Sequence, residues 1–296
     1  MKKILTYFIT NEENGQSVGE FLKSKGYSKH LLSHLKTIPM SISAAGCQVS
    51  TAYVLKTGET LTIQLKELES SRHIIPIPMK LDIVYEDEDL LVVNKPAGLP
   101  IHPSQGHFYH TLANGIAYYF QQKGEPFVYR AINRLDKDTS GLLILARHSL
   151  SASFLSKMVA ERQIHRQYLA IAKGFTPQED TITAPIARAD DSTIERCVDF
   201  DKGDYACTHF FRLHYNPILD CSLLTLTLET GRTHQIRVHL KYIGHPLLGD
   251  FLYYPDFAYM KRQALHSHRL EFCHPFTKEK LIFEVPLPAD MQFIFS

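Results

Sequence analysis

The chain has 296 residues, 44% apolar and 21% charged, the composition of an ordinary globular protein with length for one large or two unequal domains. A formal net charge of +1 argues against a strongly electrostatic nucleic-acid binder, and no apolar run approaches the roughly 18 residues that would cross a bilayer. Five scattered cysteines with no CxxC pair exclude a disulfide framework or zinc ribbon, and the sixteen histidines form no HExxH or close His/Cys cluster, so no metal is expected and reduced cytoplasm is the default compartment.

In chain order, the opening MKKILTYFITNEENG has two lysines and a short apolar patch but no long apolar core or cleavage site, so a secretion signal is not expected. Ser17–Lys36 places Val18, Phe21, Leu22, Leu31, Leu32 and Leu35 at helical intervals, with Gly26 as the interruption and Ser28 able to cap a second helix. MSISAAGCQVSTAYVLKTGETLTIQL then alternates apolar and polar residues around Gly46 and Gly58, as short strands and tight turns do. Residues 1–66 thus read as a compact helix–helix–hairpin module. Residues 67–80, with two serines and two prolines, read as a linker, and residues 81–296 as a second domain. The basic excess lies at the front: residues 1–80 hold ten Lys/Arg against six Asp/Glu.

The second domain alternates many short strands with a few helices, expected near Leu112–Gln122, Leu150–Glu161 and Arg232–Gly244. Adjacent strands such as VDFDKGDYACTHFFRLHYN and CSLLTLTLETG favour an α+β fold with a largely antiparallel mixed sheet. One stretch demands a separate explanation. In AINRLDKDTSGLLILAR, Ala131–Arg147, an apolar strand follows a crowd of Arg134, Asp136, Lys137 and Asp138 with Thr139 and Ser140. A buried strand anchors whatever loop precedes it, so such a loop can hold a carboxylate rigidly at the floor of a cleft. Thr139 and Ser140 can hold the turn by side-chain to backbone hydrogen bonds, and Gly141 permits a close approach or an unusual φ.

This stretch closely resembles the catalytic motif of the RluA-type pseudouridine synthases, Arg-Leu-Asp, two variable residues, then Thr-Ser-Gly. Four further segments resemble the same family in order: VVNKPAGLPIHP, RQYLAIAKG, LETGRTHQIRVHLKYIGHPLLGD and LHSHRLEFCHP. The resemblance covers about residues 80–290, and residues 1–66 are similar to the S4 RNA-binding module that often precedes this domain. It implies the pseudouridine synthase fold with a central cleft, an isomerase acting on ribosomal or transfer RNA, RNA as partner, no membrane partner, no metal or organic cofactor, and a monomer.

The resemblance also assigns residues. Asp136 matches the essential aspartate; chemistry at C1′ builds oxocarbenium character that a carboxylate stabilises or captures, and attack on the base or abstraction of a sugar proton are the other routes open to it. Tyr168 matches the active-site tyrosine, whose ring can stack on an extruded pyrimidine and whose hydroxyl can act as a base on C5. Arg237 best matches the arginine that pairs with the aspartate through a forked pair of hydrogen bonds. Arg232 is the alternative partner or a phosphate ligand, and His234 and His239 either contact RNA or satisfy the core. Arg134 is placed to fill the space of the flipped base or grip the backbone. Asn133, where the family usually has histidine, and Thr139 complete the expected substrate contacts. Asp138 is accessory. Two rivals remain: an inactive RNA-binding or ribosome-assembly protein on the same fold, and a hydrolytic glycosidase, which would need a second well-placed acid.

Overall fold

The computed structural model describes residues 2–104, 106 and 108–295. The N-terminal module is a four-stranded antiparallel sheet carrying two helices. Strand β1 (Lys2–Phe8) precedes α1 (Val18–Ser24) and α2 (Lys29–Lys36). Strands β2 (Ile42–Ala44), β3 (Cys47–Gln48) and β4 (Thr60–Lys66) follow, in sheet order β1-β4-β2-β3. Both helices start at capping serines: Ser17 and Glu20 form a reciprocal capping box, and the Ser28 hydroxyl accepts the Leu31 N–H. Strand β1 has no counterpart in the expected helix–helix–hairpin order. Its inward side chains are Lys3, Leu5 and Tyr7, all only half-buried, so KKILTYF carries weak alternation.

The second domain is a nine-stranded sheet. It begins with β5 (Ile83–Glu86), β6 (Leu90–Lys95), α3 (Leu112–Gln122), β7 (Ser140–Ala146), α4 (Ser149–Ala160) and β8 (His165–Lys173). Strand β9 (Glu179–Thr183), the small pair β10 (Ile186–Arg188) and β11 (Arg196–Val198), β12 (Cys207–Asn216), β13 (Cys221–Leu228) and α5 (Gln235–Tyr242) follow. Strands β14 (Leu265–Cys273) and β15 (Lys280–Glu284) and a final 3-10 turn at Ala289–Phe295 close the chain. The sheet order is β5-β6-β7-β14-β8-β13-β12-β9, with β15 on the far half of β14; only β7 and β14 run parallel. The expected α+β mixed sheet is therefore present.

Helices cover both faces, which explains why the central strands read as continuous apolar runs. Leu91, Val93, Leu143 and Leu145 pack forward with Ile116 and Phe120 of α3 and Ile236 and Leu240 of α5. Leu90, Val92, Leu142 and Ile144 pack backward with Leu155 of α4. Residues 67–80 are bonded into this body: Glu67 makes a two-point ion pair with Arg130, Ser71 exchanges hydrogen bonds with Phe127 and Tyr129, and Asn114 donates to the Ile75 carbonyl.

The two halves also share a core. Leu150, Phe154 and Phe276 of the second domain pack with the buried residues of the N-terminal module, and Ser153 bonds both the Ser28 N–H and the Gly26 carbonyl. Between α2, residues 66–69 and α4 runs a groove of about 1190 Å³.

Candidate active site

The loop before β7 is built by backbone geometry. Residues 131–133 run antiparallel beside β7: Ala131 bridges Leu145, and the Ile132 N–H donates to the Ile144 carbonyl. Asn133 continues this ladder with its side chain, accepting the Ile144 N–H at 2.8 Å and donating to the Leu142 carbonyl at 3.5 Å. The chain then turns, closed by the Thr139 N–H on the Asp136 carbonyl, and returns as β7. Two cations grip the turn from behind: Lys95 Nζ donates to the Lys137 carbonyl at 2.9 Å and Arg262 to the Asp138 carbonyl at 3.2 Å.

Gly141 adopts φ +110°, and a Cβ there would lie 2.2 Å from the Ser267 carbonyl oxygen, so both the unusual φ and the close approach are realised. The Thr139 and Ser140 hydroxyls do differ from expectation. They bond side chains of the neighbouring segment, Gln263 at 3.3 Å and His266 at 2.9 Å, rather than the turn backbone, because β14 crosses beside them.

This turn presents Asp136 to a small cleft of about 60 Å³, whose wall includes Arg134, Tyr168, Arg232, His234 and Arg237. Asp136 Oδ2 accepts from Arg237 Nη1 at 2.8 Å, and His234 Nε2 stands 3.7 Å away. Asp136 Oδ1 has no hydrogen bond among the described residues. The forked pair expected between Arg237 and Asp136 goes elsewhere. Arg237 Nε and Nη2 grip both oxygens of Asp250 at 2.7 and 2.8 Å, leaving a single bond for Asp136. The carboxylate of Asp250 is fully buried and also accepts the Leu252 and Tyr253 N–H groups. Burial works against the charge of Arg237, but Asp250 and then Asp136 more than offset it and hold its pKa above the ordinary value.

Tyr168 projects from β8, its ring buried on the front face, and burial raises its pKa; Arg166 opposes that rise and Asp136 adds to it. Gly231 leaves room for the Arg166 guanidinium, since a Cβ there would stand 3.3 Å from Nη1. Arg134 is exposed at the rim and has no hydrogen bond or ion pair among the described residues. Arg232, also exposed, donates to the Tyr205 carbonyl and pairs with Asp204 at 3.2 Å.

The helix expected from Arg232 begins three residues later. Gln235 pulls the loop tight by accepting from Arg232 N and Thr230 Oγ1, and His234 takes a left-handed conformation, φ 59°. Of the remaining expected residues, Thr139 sits at the cleft floor, 2% exposed. The Asn133 side chain is spent on β7 and does not line the cleft. His239 is fully buried between Thr208 and the Ala184 carbonyl, which resolves its two readings in favour of the core. Asp138 lies off the cleft, near the Lys95 ammonium.

Sequence reading missed Asp250 and Lys95. Lys95 is 1% exposed and its Nζ donates to three carbonyls, of Pro96, Leu99 and Lys137. Burial pulls its pKa down to about 7, against the opposing field of Asp138 and Asp136. It also missed two groups with metal-ligand chemistry, Cys207–His209–Glu229 and Asp87–Asp89–His274. Cys207 and His209 are two residues apart on one strand, a signal that was available. Hydrogen bonds already satisfy the first group, with His209 between Thr181 and Glu229 and Glu229 also on Arg162. In the second, the Lys3 ammonium stands 2.7 Å from Asp89 Oδ1 as the resident cation.

The α+β sheet thus aims a carboxylate, its arginine partner and a tyrosine into one cleft, the geometry of a candidate catalytic site. Residues 89–242 match the profile of the RNA pseudouridylate synthase family. The chain is 42% identical over 276 residues, 93% of its length and 96% of the other, to a Bacillus subtilis (strain 168) protein named as the uncharacterized RNA pseudouridine synthase YjbO. It is 38% identical over 83% of its length, and 81% of the other, to the ribosomal large subunit pseudouridine synthase D of Zymomonas mobilis. Among solved structures, human RNA pseudouridylate synthase domain containing 1 superposes with TM-score 0.58 at 29% identity, over 71% of this chain and 87% of that one. The chain belongs to the RluA-type RNA pseudouridine synthase family, with an S4-like N-terminal module. It is an RNA-modifying isomerase. No helix among the described residues is long and apolar enough to cross a membrane.

Proposed function

We propose that this enzyme converts uridines of ribosomal or transfer RNA to pseudouridine, with Asp136, Tyr168 and Arg237 as its catalytic residues. The observation that carries the assignment is the asymmetry of Asp136, one oxygen tied to Arg237 at 2.8 Å and the other open to the cleft. In the reaction the C1′–N1 bond breaks, the uracil turns, and C5 bonds to C1′; the C5 hydrogen leaves as a proton and N1 gains one, so no co-reactant is required. Asp136 acts at C1′, and Arg237 supplies the counter-charge. The Tyr168 ring supports the base and its oxygen is placed to relay the C5 proton to solvent; burial keeps its pKa above the ordinary value, and Arg166 opposes that rise only in part.

The cleft, about 60 Å³, is open to solvent at its rim. Arg134, free at that rim, takes the place of the extruded base, and Arg232 exchanges Asp204 for phosphate. Thr139 shapes the floor.

In the same reading residues 1–66 form an RNA-binding module, 67–80 connect it, and 81–296 form the catalytic domain. Lys23, His30, Lys66 and Lys157 along the groove between the two domains support an RNA path there. Replacing Lys23 and Lys66 by alanine should then reduce the salt dependence of RNA affinity without changing the rate at saturation.

The decisive assay counts tritium released from [5-³H]uridine in bulk ribosomal and transfer RNA taken from cells lacking the gene. Release by the wild type and none by Asp136→Asn supports the synthase. Equal RNA affinity of both with no release from either supports the rival RNA-binding role. Because the names of several relatives cite the ribosomal large subunit, ribosomal RNA is the first fraction to assay.

A further inference from the structure

Of the cleft residues, His234 alone combines a left-handed backbone, φ 59° and ψ 18°, with a side chain that does not cap the helix it precedes. A β-carbon residue in this region is strained, and such strain persists only where the surroundings impose it. What imposes it is visible. His234 Nδ1 lies 2.8 Å from the Tyr253 hydroxyl, and that hydroxyl accepts the Arg196 backbone N–H at 2.9 Å.

An amide can only donate, so it takes an acceptor site of the hydroxyl and leaves the phenolic proton available for His234 Nδ1, the arrangement we adopt. Burial pushes the Tyr253 pKa up to about 12, which keeps that proton in place at neutral pH. With Nδ1 accepting, the ring proton sits on Nε2. Burial lowers the His234 pKa, against Asp136 and with Arg237, so the ring is neutral; Asp250 and Arg196 are the other charges that face it. Nε2–H then faces the cleft, 3.7 Å from Asp136 Oδ2, too far for a direct hydrogen bond and beside the carboxylate that acts at C1′ in the proposed reaction.

A donor at that place meets three kinds of acceptor on a nucleoside. The ring oxygen O4′ gives up electron density as C1′ becomes cationic and is a poor acceptor at that moment. The uracil oxygens move as the base turns. The ribose 2′-oxygen stays in place as the base turns and keeps its lone pairs, so it remains available to accept throughout the reaction. We propose that His234, fixed as its Nε2–H tautomer by the Arg196–Tyr253 relay, donates a hydrogen bond to the 2′-oxygen of the target ribose. This deepens the preceding functional reading and rests on it. It also gives the enzyme a contact that separates RNA from DNA at the reacting nucleotide.

The tautomer is tested without RNA, by nitrogen NMR of ¹⁵N-histidine-labelled protein at pH 7. The expected His234 signal is a neutral ring protonated on Nε2 that becomes a mixture of tautomers in Tyr253→Phe. A ring protonated on Nδ1, or an imidazolium, overturns the proposal whatever the enzyme acts on. The contact is tested by tritium release. His234→Ala should lower kcat about tenfold with RNA affinity unchanged. His234→Gln, which keeps a neutral N–H donor, should recover most of the loss, and a melting curve checks that both variants fold. On a transcript of the reactive RNA made with 2′-deoxyuridine, the wild type should slow and His234→Ala should slow it no further. An equal penalty from His234→Ala on the ribo and deoxy transcripts places the contact elsewhere and sinks the assignment. Absence of wild-type release overturns the functional reading, leaving the NMR result to decide the tautomer.

Discussion

Two clusters of buried charge flank opposite ends of the β6–β7 strand pair, and they are completed differently. At the junction with the N-terminal module, Asp89 is met by His148 and by Lys3 of β1, each at 2.7 Å, and His274 lies against Asp87 at 3.0 Å. Nothing there faces the cleft. At the active site Asp250 takes the fork of Arg237 and two backbone N–H groups, while Asp136 receives one bond and keeps an oxygen free. The first cluster joins the N-terminal module to the second domain and lines no part of the cleft; in the second, the carboxylate proposed to react is the one that faces the cleft. A carboxylate set among charges at a junction serves as a strut, whereas the proposed chemistry needs one that a substrate can reach.

The largest effect should come from removing the incomplete member. Asp136→Asn is expected to cost on the order of 10³-fold or more in tritium release. It should leave the melting temperature near that of the wild type, because only one hydrogen bond is altered. A variant that instead unfolds would make Asp136 a strut like Asp250. Asp250→Asn probes the other side. It strips a buried guanidinium of its main partner, which should cost about 3–5 kcal/mol in denaturant unfolding. It should also cost about 10²-fold in kcat as Arg237 reorients toward Asp136. Stability and rate thus fall together for Asp250 and separately for Asp136.

How much of this was legible depended on whether a residue's role is local. Helix α3 falls on its expected bounds, Leu112–Gln122, because the Thr111 cap and the apolar spacing are both written in adjacent residues. Asp136, Tyr168 and Arg237 stood out as motif members, and the cleft brings them together. Asp250 and Lys95 did not, since each matters through a partner far along the chain: Arg237 for one, the Lys137 carbonyl for the other. Asn133 misled for the same reason. A polar residue next to a catalytic motif reads as a substrate contact, whereas its amide serves as a rung of the ladder beside β7. The late start of α5 escaped because the tight loop depends on the Gln235 side chain reaching the Cys207 carbonyl.

Lys95 sharpens the comparison between the clusters, since its ammonium is buried and its hydrogen bonds go to three carbonyls rather than to a carboxylate. Its folded pKa of about 7 lies below the ordinary 10.5, so between these values the unfolded chain binds more protons than the folded one. Stability from this group therefore rises with pH from 7 to 10.5. Lys95→Met should abolish that rise and orphan three carbonyls, costing about 3 kcal/mol at neutral pH. It should slow turnover roughly tenfold because the Asp136 turn loses a rear support. A variant with the wild-type pH–stability curve would mean the ammonium is not buried in solution.

The smallest effect on chemistry, and the clearest on assembly, should come from Asp89. Burial acts to raise its pKa, but the hydrogen bonds from His148 and Lys3 outweigh it and hold the carboxyl below its usual 3.8. A depressed folded pKa means that the unfolded chain takes up protons first as acid is added. The stabilisation is complete above pH 3.8 and is lost as pH falls through the lower folded value. Asp89→Asn removes the charge at all pH values, so its unfolding curves should lose part of the acid dependence seen in the wild type. The same change leaves Lys3 with exposed Glu88, at 2.7 Å, in place of its buried partner, and the Lys3 ammonium also sits 4.7 Å over the Phe276 ring, in the core shared with the N-terminal module. Protease cleavage in the segment 67–80 should therefore accelerate, while tritium release at saturating RNA stays within about twofold, because no atom of this cluster lines the cleft. If Asp89→Asn instead slowed the chemistry as Asp250→Asn does, the two clusters would be one network, and the division between strut and reactive carboxylate would have to be drawn inside it.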